Sequence, residues 1–306
     1  MKKRRIIGVL VIFFLLFLLS RLATADECGV LTVNTTLTSN VTVNLSASRT
    51  CFTMNNSWTT LNCAGYTIHY YGSNNTVLGY GINNSGYNYT TVENCDIRQV
   101  GSNSTSYGIY FAGAFNGTIA NNTISTAGSI SRGVYLLGFI NGTIRNNTIN
   151  TTGSSSNGVY LLYTNFTTVK NNIISVGGGG TSVAIFIDGS TNAPSSNNIV
   201  YGNTLNSTFN RDIRVFYGYS TLIENNTLIG TSTTTRVELF FANLTIFRNN
   251  SIASAGYGII LTSSEYTNVT ANSFLILERA TSSTSYGVYM DDSDNNRVEF
   301  NTINIV

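Results

Sequence analysis

The side chains able to do chemistry are few. Asp291, Asp292 and Asp294, in Asp291-Asp292-Ser293-Asp294 directly after Tyr289-Met290, form the densest group of carboxylates. Ca²⁺ binds through several oxygens, so it is the one cofactor this cluster admits, although a D-D-x-D run equally suits a solvated turn between strands. Asp188, Arg211, Asp212 and Arg214 make a looser second group. Tyr110, Tyr135 and Tyr160 recur at one spacing, with Tyr289 at the equivalent place near the C-terminus. Such rings can stack on the faces of sugars, and they can also stack on one another and stabilise a sheet with no ligand at all. The single histidine, His69, lacks flanking glycines. With Met54 and Met290 it offers too few soft donors for copper. No catalytic residue is assigned.

What must hold these residues in place is a repeat. Gly108-Ile109-Tyr110-Phe111 leads to Thr118-Ile119-Ala120-Asn121-Asn122-Thr123-Ile124, and the same sentence recurs from Gly133 and again from Gly158, a step of 25 residues each time. A fixed period of this size means stacked units, none of which can bury its apolar face alone. The short alternating, β-branched segments read as strands, and the Asn, Gly, Ser and Thr between them as turns. The second Asn of each turn falls at Asn122, Asn147, Asn172, Asn203, Asn226, Asn250, Asn272 and Asn301. Piled along one axis, these amides can pass side-chain hydrogen bonds from coil to coil, so we expect a structural asparagine ladder there. The uneven intervals after Asn172 fit loops of different length on one face, as around Gly177-Gly178-Gly179-Gly180 and Pro194. Arg214 and Glu238 then fall on the outward position of successive strands, which predicts an exposed ion pair. Thr123, Thr148, Thr204 and Thr227 form a polar column interrupted by Ile173, too broken to present a flat ice-binding face.

Residues 1–25 read as an export signal: Met1-Lys2-Lys3-Arg4-Arg5, then an apolar run from Ile6 to Leu19, then Ala23-Thr24-Ala25 as the cleavage site. Left uncleaved, this segment is the chain's only membrane contact. Five of the 16 Lys and Arg precede Asp26 and all 14 Asp and Glu follow, so the remainder carries 11 − 14 = −3. That charge leaves no electrostatic footprint for nucleic acid. Cys28, Cys51, Cys63 and Cys95 allow three pairings in an exported chain. Cys28 with Cys51 and Cys63 with Cys95 is favoured, because Leu61-Asn62-Cys63 and Val92-Glu93-Asn94-Cys95 occupy the same place on successive coils. N-x-[ST] sequons are abundant, among them Asn44, Asn74, Asn103, Asn165 and Asn243, and would make a glycoprotein where the machinery exists.

The strand G-[IV]-x-[apolar] followed by [TN]-[IV]-x-N-N-[TS]-[ILF] resembles the right-handed parallel β-helix repeat of pectin-lyase-like enzymes, carbohydrate-binding β-helix proteins and NosD-like periplasmic proteins. The opening Leu61-Asn62-Cys63-Ala64-Gly65-Tyr66-Thr67-Ile68 is similar to the N-terminal part of exported members. The resemblance covers about Cys28 to the end. It implies an all-β, right-handed single-stranded parallel β-helix of about ten coils: 1–25 signal peptide, 26–71 N-terminal cap and first coil, 72–306 repeats. The G-H-G and R-I-K segments of pectin hydrolases are missing here. The expectation is therefore an exported cell-surface or secreted protein with a structural or carbohydrate-binding role, whose partner is a polysaccharide or cell-envelope glycan. A polysaccharide lyase or glycoside hydrolase acting on polyuronates is the alternative. The pattern runs to Val306 without a cap, so the expectation is either that the sequence is a fragment or that a capping partner covers this end.

Overall fold

The computed structural model describes residues 23–43, 50–71, 78–101, 105–230, 235–277 and 285–306. Most of the segment read as an export signal, and the sequons at Asn44, Asn74 and Asn103, lie outside them. Each turn of the chain lays down three short strands. Ser106–Ala112 goes to a sheet we call the front, Thr118–Ala120 to a side sheet and Thr123–Thr126 to a back sheet. The next turn repeats this with Arg132–Leu137, Thr143–Arg145 and Thr148–Thr151. The strands pair in parallel with their counterparts one turn on, Ile109 with Val134, Ile119 with Ile144 and Ile124 with Ile149. The front and back sheets hold 11 strands each and the side sheet 12, and the described residues contain no helix. The chain is an all-β parallel β-helix.

Alternation builds the core. In Thr148–Thr151 the side chains of Ile149 and Thr151 are buried while Thr148 and Asn150 are exposed. Stacked rungs therefore line three inward columns, among them Ile119, Ile144, Val169, Val200 and Ile223 in the side sheet, all about 0% exposed. Each such aliphatic side chain contributes roughly 1.5–3 kcal/mol relative to exposure. The repeat glycine has a steric cause: a Cβ on Gly108 would lie 2.6 Å from the Gly133 carbonyl oxygen and 2.6 Å from Ile124.

The Asn-Asn pair makes the tight corner between side and back sheets. Asn121, Asn146 and Asn171 take left-handed backbone angles, φ 57°, 56° and 55°. Asn tolerates that region better than most residues because its short amide can bond locally. The second Asn turns inward.

At the N-terminal end, the Ala23-Thr24-Ala25 stretch pairs as a strand with Thr35–Leu37. Residues 26–71 contain two successive rungs, Gly29–Leu31 through Val41–Thr42 and Phe52–Met54 through Thr67–Tyr71. Disulfides join Cys28 to Cys51 and Cys63 to Cys95. They suggest an extracytoplasmic location. No helix among the described residues is long and apolar enough to cross a membrane. In the last rung Val298 and Ile303 are 39% and 45% exposed, whereas their register partners Val269 and Phe274 are fully buried.

Candidate functional site

The asparagines from Asn122 to Asn301 form one continuous file. In each rung Nδ2 donates to the next Oδ1, at 3.0 Å from Asn122 to Asn147 and from Asn147 to Asn172, and at 2.9 Å from Asn272 to Asn301. Asn203, Asn226 and Asn250 continue it between. The same Nδ2 groups reach backbone carbonyls, so a buried polar column has its bonds made. This file is scaffold, and the outward face of the front sheet is where a ligand could be met.

There the strands send Ile109 and Phe111 inward and Tyr110 outward. Register places Tyr110, Tyr135, Tyr160, Phe186, Arg214 and Glu238 in one outward column, which Ile260 continues to Tyr289. Ring centroids step by 5.1, 5.0 and 5.1 Å from Tyr110 to Phe186, and Tyr80 extends the file by 5.3 Å before Tyr110. Tyr107 fills in beside it, 5.1 Å from Tyr135. Arg132 lies over this cluster, 4.3 Å from the Tyr160 ring and 4.6 Å from Tyr135, and donates to the Tyr107 hydroxyl at 2.9 Å. Tyr135 and Tyr160 are consequently only 9% and 7% exposed. Their faces pack on neighbours, while Tyr80, Tyr110 and Phe186 keep part of theirs open. Tyr289 stands apart, packing with Tyr257 and Tyr286 at 5.8 and 5.5 Å.

Where the tyrosines stop, charges begin. The Tyr160 hydroxyl donates to Asp188 Oδ2 at 2.5 Å. Burial pushes the Asp188 carboxyl above the usual carboxylate range, against the pull of that hydroxyl, the Gly189 N–H and the Arg214 and Arg132 charges. Glu238 is gripped by two guanidinium groups, Arg211 Nε at 2.8 Å and Arg214 Nε at 2.6 Å. The expected exposed pair is thus a half-buried triad that includes Arg211. Arg214 also covers Phe186 and Phe216, at 5.2 and 5.3 Å, and Phe216 stacks on Phe240 at 5.0 Å. The aromatic surface so passes through the charged cluster and continues beyond it.

Asp212 does not join this group. The strand breaks alternation here, turning Asp212 inward together with Ile213, and Asp212 is fully buried against Arg236. Asp291 aligns with Thr262 on the front sheet, Asp292 sits in a left-handed turn and Asp294 follows in the loop, all exposed. Among the described residues no three or more His, Cys, Asp or Glu converge as metal ligands.

Sequence reading misses Tyr80, Tyr107, Arg132 and Phe186. A usable signal precedes the repeat glycine: Tyr80-Gly81, Tyr107-Gly108, Arg132-Gly133 and Tyr257-Gly258 each place an outward side chain beside the tyrosine column. Phe186 escapes because its rung carries Ala184 where the others carry Gly.

Residues 129–274 match the family model described as right handed beta helix region. No curated protein matches the sequence. Solved structures match over most of the chain at low identity. One is DFA-IIIase from Arthrobacter chlorophenolicus A6 in complex with GF2, with TM-score 0.65 and 12% identity over 92% of this chain and 85% of that one. Another is the A-module of the Azotobacter vinelandii mannuronan C-5 epimerase AlgE6, with TM-score 0.59 and 13% identity over 93% and 87%. A third is a tailspike protein mutant of E. coli bacteriophage HK620 in complex with a hexasaccharide, with TM-score 0.62 and 10% identity over 88% and 56%. At such identities the likeness is one of fold.

Proposed function

We propose that this right-handed β-helix binds an extended carbohydrate along its front sheet, as an extracytoplasmic glycan-binding protein. The observation that carries the reading is the outward file of rings from Tyr80 to Phe186, spaced by about 5 Å with the rungs and partly open at Tyr80, Tyr110 and Phe186, with Phe216 stacked on Phe240 beyond Arg214. Stacking of sugar faces needs rings held rigidly in a row, and strand pairing holds these. The neighbours crystallised with GF2 and with a hexasaccharide support carbohydrate as the ligand class. A glycan array followed by calorimetry tests it. Tyr110→Ala and Phe186→Ala should each weaken the best glycan about tenfold, and binding that survives both substitutions would remove the front sheet from the reading.

A catalytic reading is favoured by one feature, Asp188. A carboxyl raised by burial and held by the Tyr160 hydroxyl stands across Arg214 from the fully ion-paired Glu238, and two carboxyls with such different surroundings suit an acid and a base. Incubation with alginate or polygalacturonate, with and without Ca²⁺, separates the cases. New reducing ends or unsaturated products that vanish in Asp188→Asn support an enzyme, and their absence leaves a binding protein.

A further inference from the structure

Around the corner from the charged cluster lies a recess of about 240 Å³ between the loop after Asp188 and the two following rungs, with walls from Ser190, Thr191, Pro194, Tyr219, Phe241 and Asn243. We propose that it is a separate subsite for one uncharged sugar unit, a branch or chain end of the glycan whose backbone lies on the front sheet. The proposal deepens the carbohydrate reading and takes its ligand class from it.

Three observations support the assignment. The first is the loop. The step from Asn172 to Asn203 is 31 residues where the preceding steps are 25, and part of the excess forms this wall. The wall is firmly built: Ser190 and Ala193 exchange backbone hydrogen bonds at 3.0 and 3.2 Å, and Ser195 Oγ ties back to the Asp188 carbonyl at 2.5 Å.

The second is the backbone beneath the aromatic floor. Tyr217 and Phe241 occupy left-handed conformations, φ 49° and 50°, at a turn position that other rungs fill with Gly113, Gly138, Tyr163 and Ser263. The left-handed turn is thus a property of the coil, and what distinguishes these two rungs is that consecutive ones both carry a ring there. These rings form a pair stacked at 4.9 Å and 9° beside the mouth. Tyr219 adds a third ring, 46% exposed. Phe216 and Phe240 pack edge-on against the pair at 4.6 Å each, so the aromatic surface runs unbroken from the front sheet into the recess.

The third is the polar equipment. Apart from the Tyr hydroxyls the lining contains no ionisable group, only the hydroxyls of Ser190 and Thr191 and the Asn243 amide. The Glu265 N–H donates to Asn243 Oδ1 at 2.9 Å, which leaves the NH₂ of Asn243 to donate elsewhere. Apolar floor with neutral donors and acceptors at the rim is the chemistry of a pyranose ring. A volume below the roughly 300–1,000 Å³ of drug-sized sites suits a single ring.

The test uses the full exported chain and a panel of methyl glycosides of glucose, galactose and mannose, with methyl glucuronide as the charged control, read by saturation-transfer NMR. At least one neutral glycoside should bind, the glucuronide should bind at least tenfold more weakly, and Tyr219→Ala and Thr191→Val should each weaken the neutral glycoside about tenfold. Thr148→Ala, at an exposed position on the back sheet, should leave that signal unchanged. Both recess substitutions are at exposed positions, and an unchanged circular dichroism melt confirms that the variants fold. Absence of any neutral-glycoside signal, equal binding of the glucuronide, or a signal indifferent to Tyr219 and Thr191 overturns the proposal. Polymer binding that depends on Tyr110 while the glycosides fail would overturn the subsite alone. Glycoside binding without polymer binding would overturn the front-sheet reading alone.

Discussion

At the scale of single residues, the two asparagines of each corner have the same name and different work. Asn171 is in the left-handed region with φ 55°, in a position that Gly202 fills one rung later with φ 65°. Asn172 is 1% exposed and donates from Nδ2 to the Ile144 carbonyl at 3.1 Å and to Asn203 Oδ1 at 3.0 Å, while its Oδ1 receives the Asn147 N–H at 2.9 Å. Deleting that amide strands several buried partners at once, and each unmade bond costs about 1–3 kcal/mol. Asn172→Ala is therefore expected to lose about 3 kcal/mol or more in urea unfolding, and Asn171→Gly to stay within about 0.5 kcal/mol of the parent. Equal losses from the two substitutions would show that the turn conformation, and not the amide file, holds the corner.

At the scale of elements, the front strands share an inward column of small residues, Gly81, Gly108, Gly133 and Gly158, then Ala184, interrupted by Asp212 and Arg236 before Gly258. These two are fully buried and bonded to each other, and the Ser207 backbone serves both, its N–H donating to Asp212 at 2.8 Å and its carbonyl accepting from Arg236 at 3.1 Å. Desolvation makes such a pair a poor source of stability, yet removing one partner leaves a buried charge and costs about 3–5 kcal/mol. Above about pH 8, where Asp212 is ionised, Asp212→Asn is expected to destabilise by about that much in urea, whereas the double change Asp212→Gly with Arg236→Gly, which restores the column of the other rungs, should lose less than the single. Burial also pushes the Asp212 carboxyl up to about 7 from 3.8, opposed by Arg236 and the Ser207 N–H. The folded state thus favours the protonated acid. The stability this contributes is complete below about pH 4 and is lost as pH rises towards 7, so the double variant should gain on the parent across that window. A gap between the two that stays constant from pH 4 to pH 7 would exclude Asp212 as the titrating group. The sequence grouped Asp212 with Arg211 and Arg214 because spacing along a strand looks like proximity. Period-two alternation would keep Asp212 on the face of Arg214, but the strand breaks step here, with Asp212 and Ile213 both turned inward as Gly108 and Ile109 are.

At the scale of the whole molecule, a coil of strands is nearly one-dimensional: each rung touches only its neighbours, so stability is a sum of local terms. That is also why the fold was legible and the site only partly so. The repeat writes inward and corner residues into every rung, Ile144 and Asn147 being copies of Ile119 and Asn122, and a pattern repeated that often can be read without coordinates. A ligand face is made from positions the scaffold leaves free, such as Arg132, Phe186 and Asp188, and from an insertion that breaks the period, so no rhythm announces it. The same one-dimensionality governs the disulfides. Cys28–Cys51 and Cys63–Cys95 close loops of 23 and 32 residues and staple the first three rungs together. Loop-closure entropy gives each about 3.5 kcal/mol. In a globular domain that stabilisation would be felt everywhere, but here it should stay where it is made. Reduction is expected to accelerate amide hydrogen exchange across residues 29–100 while leaving the strands from Arg132 to Thr262, and glycan binding on the front sheet, close to the oxidised protein. Exchange that rises uniformly along the chain would mean that the coil unfolds as one cooperative unit and that the rungs are coupled far beyond their neighbours.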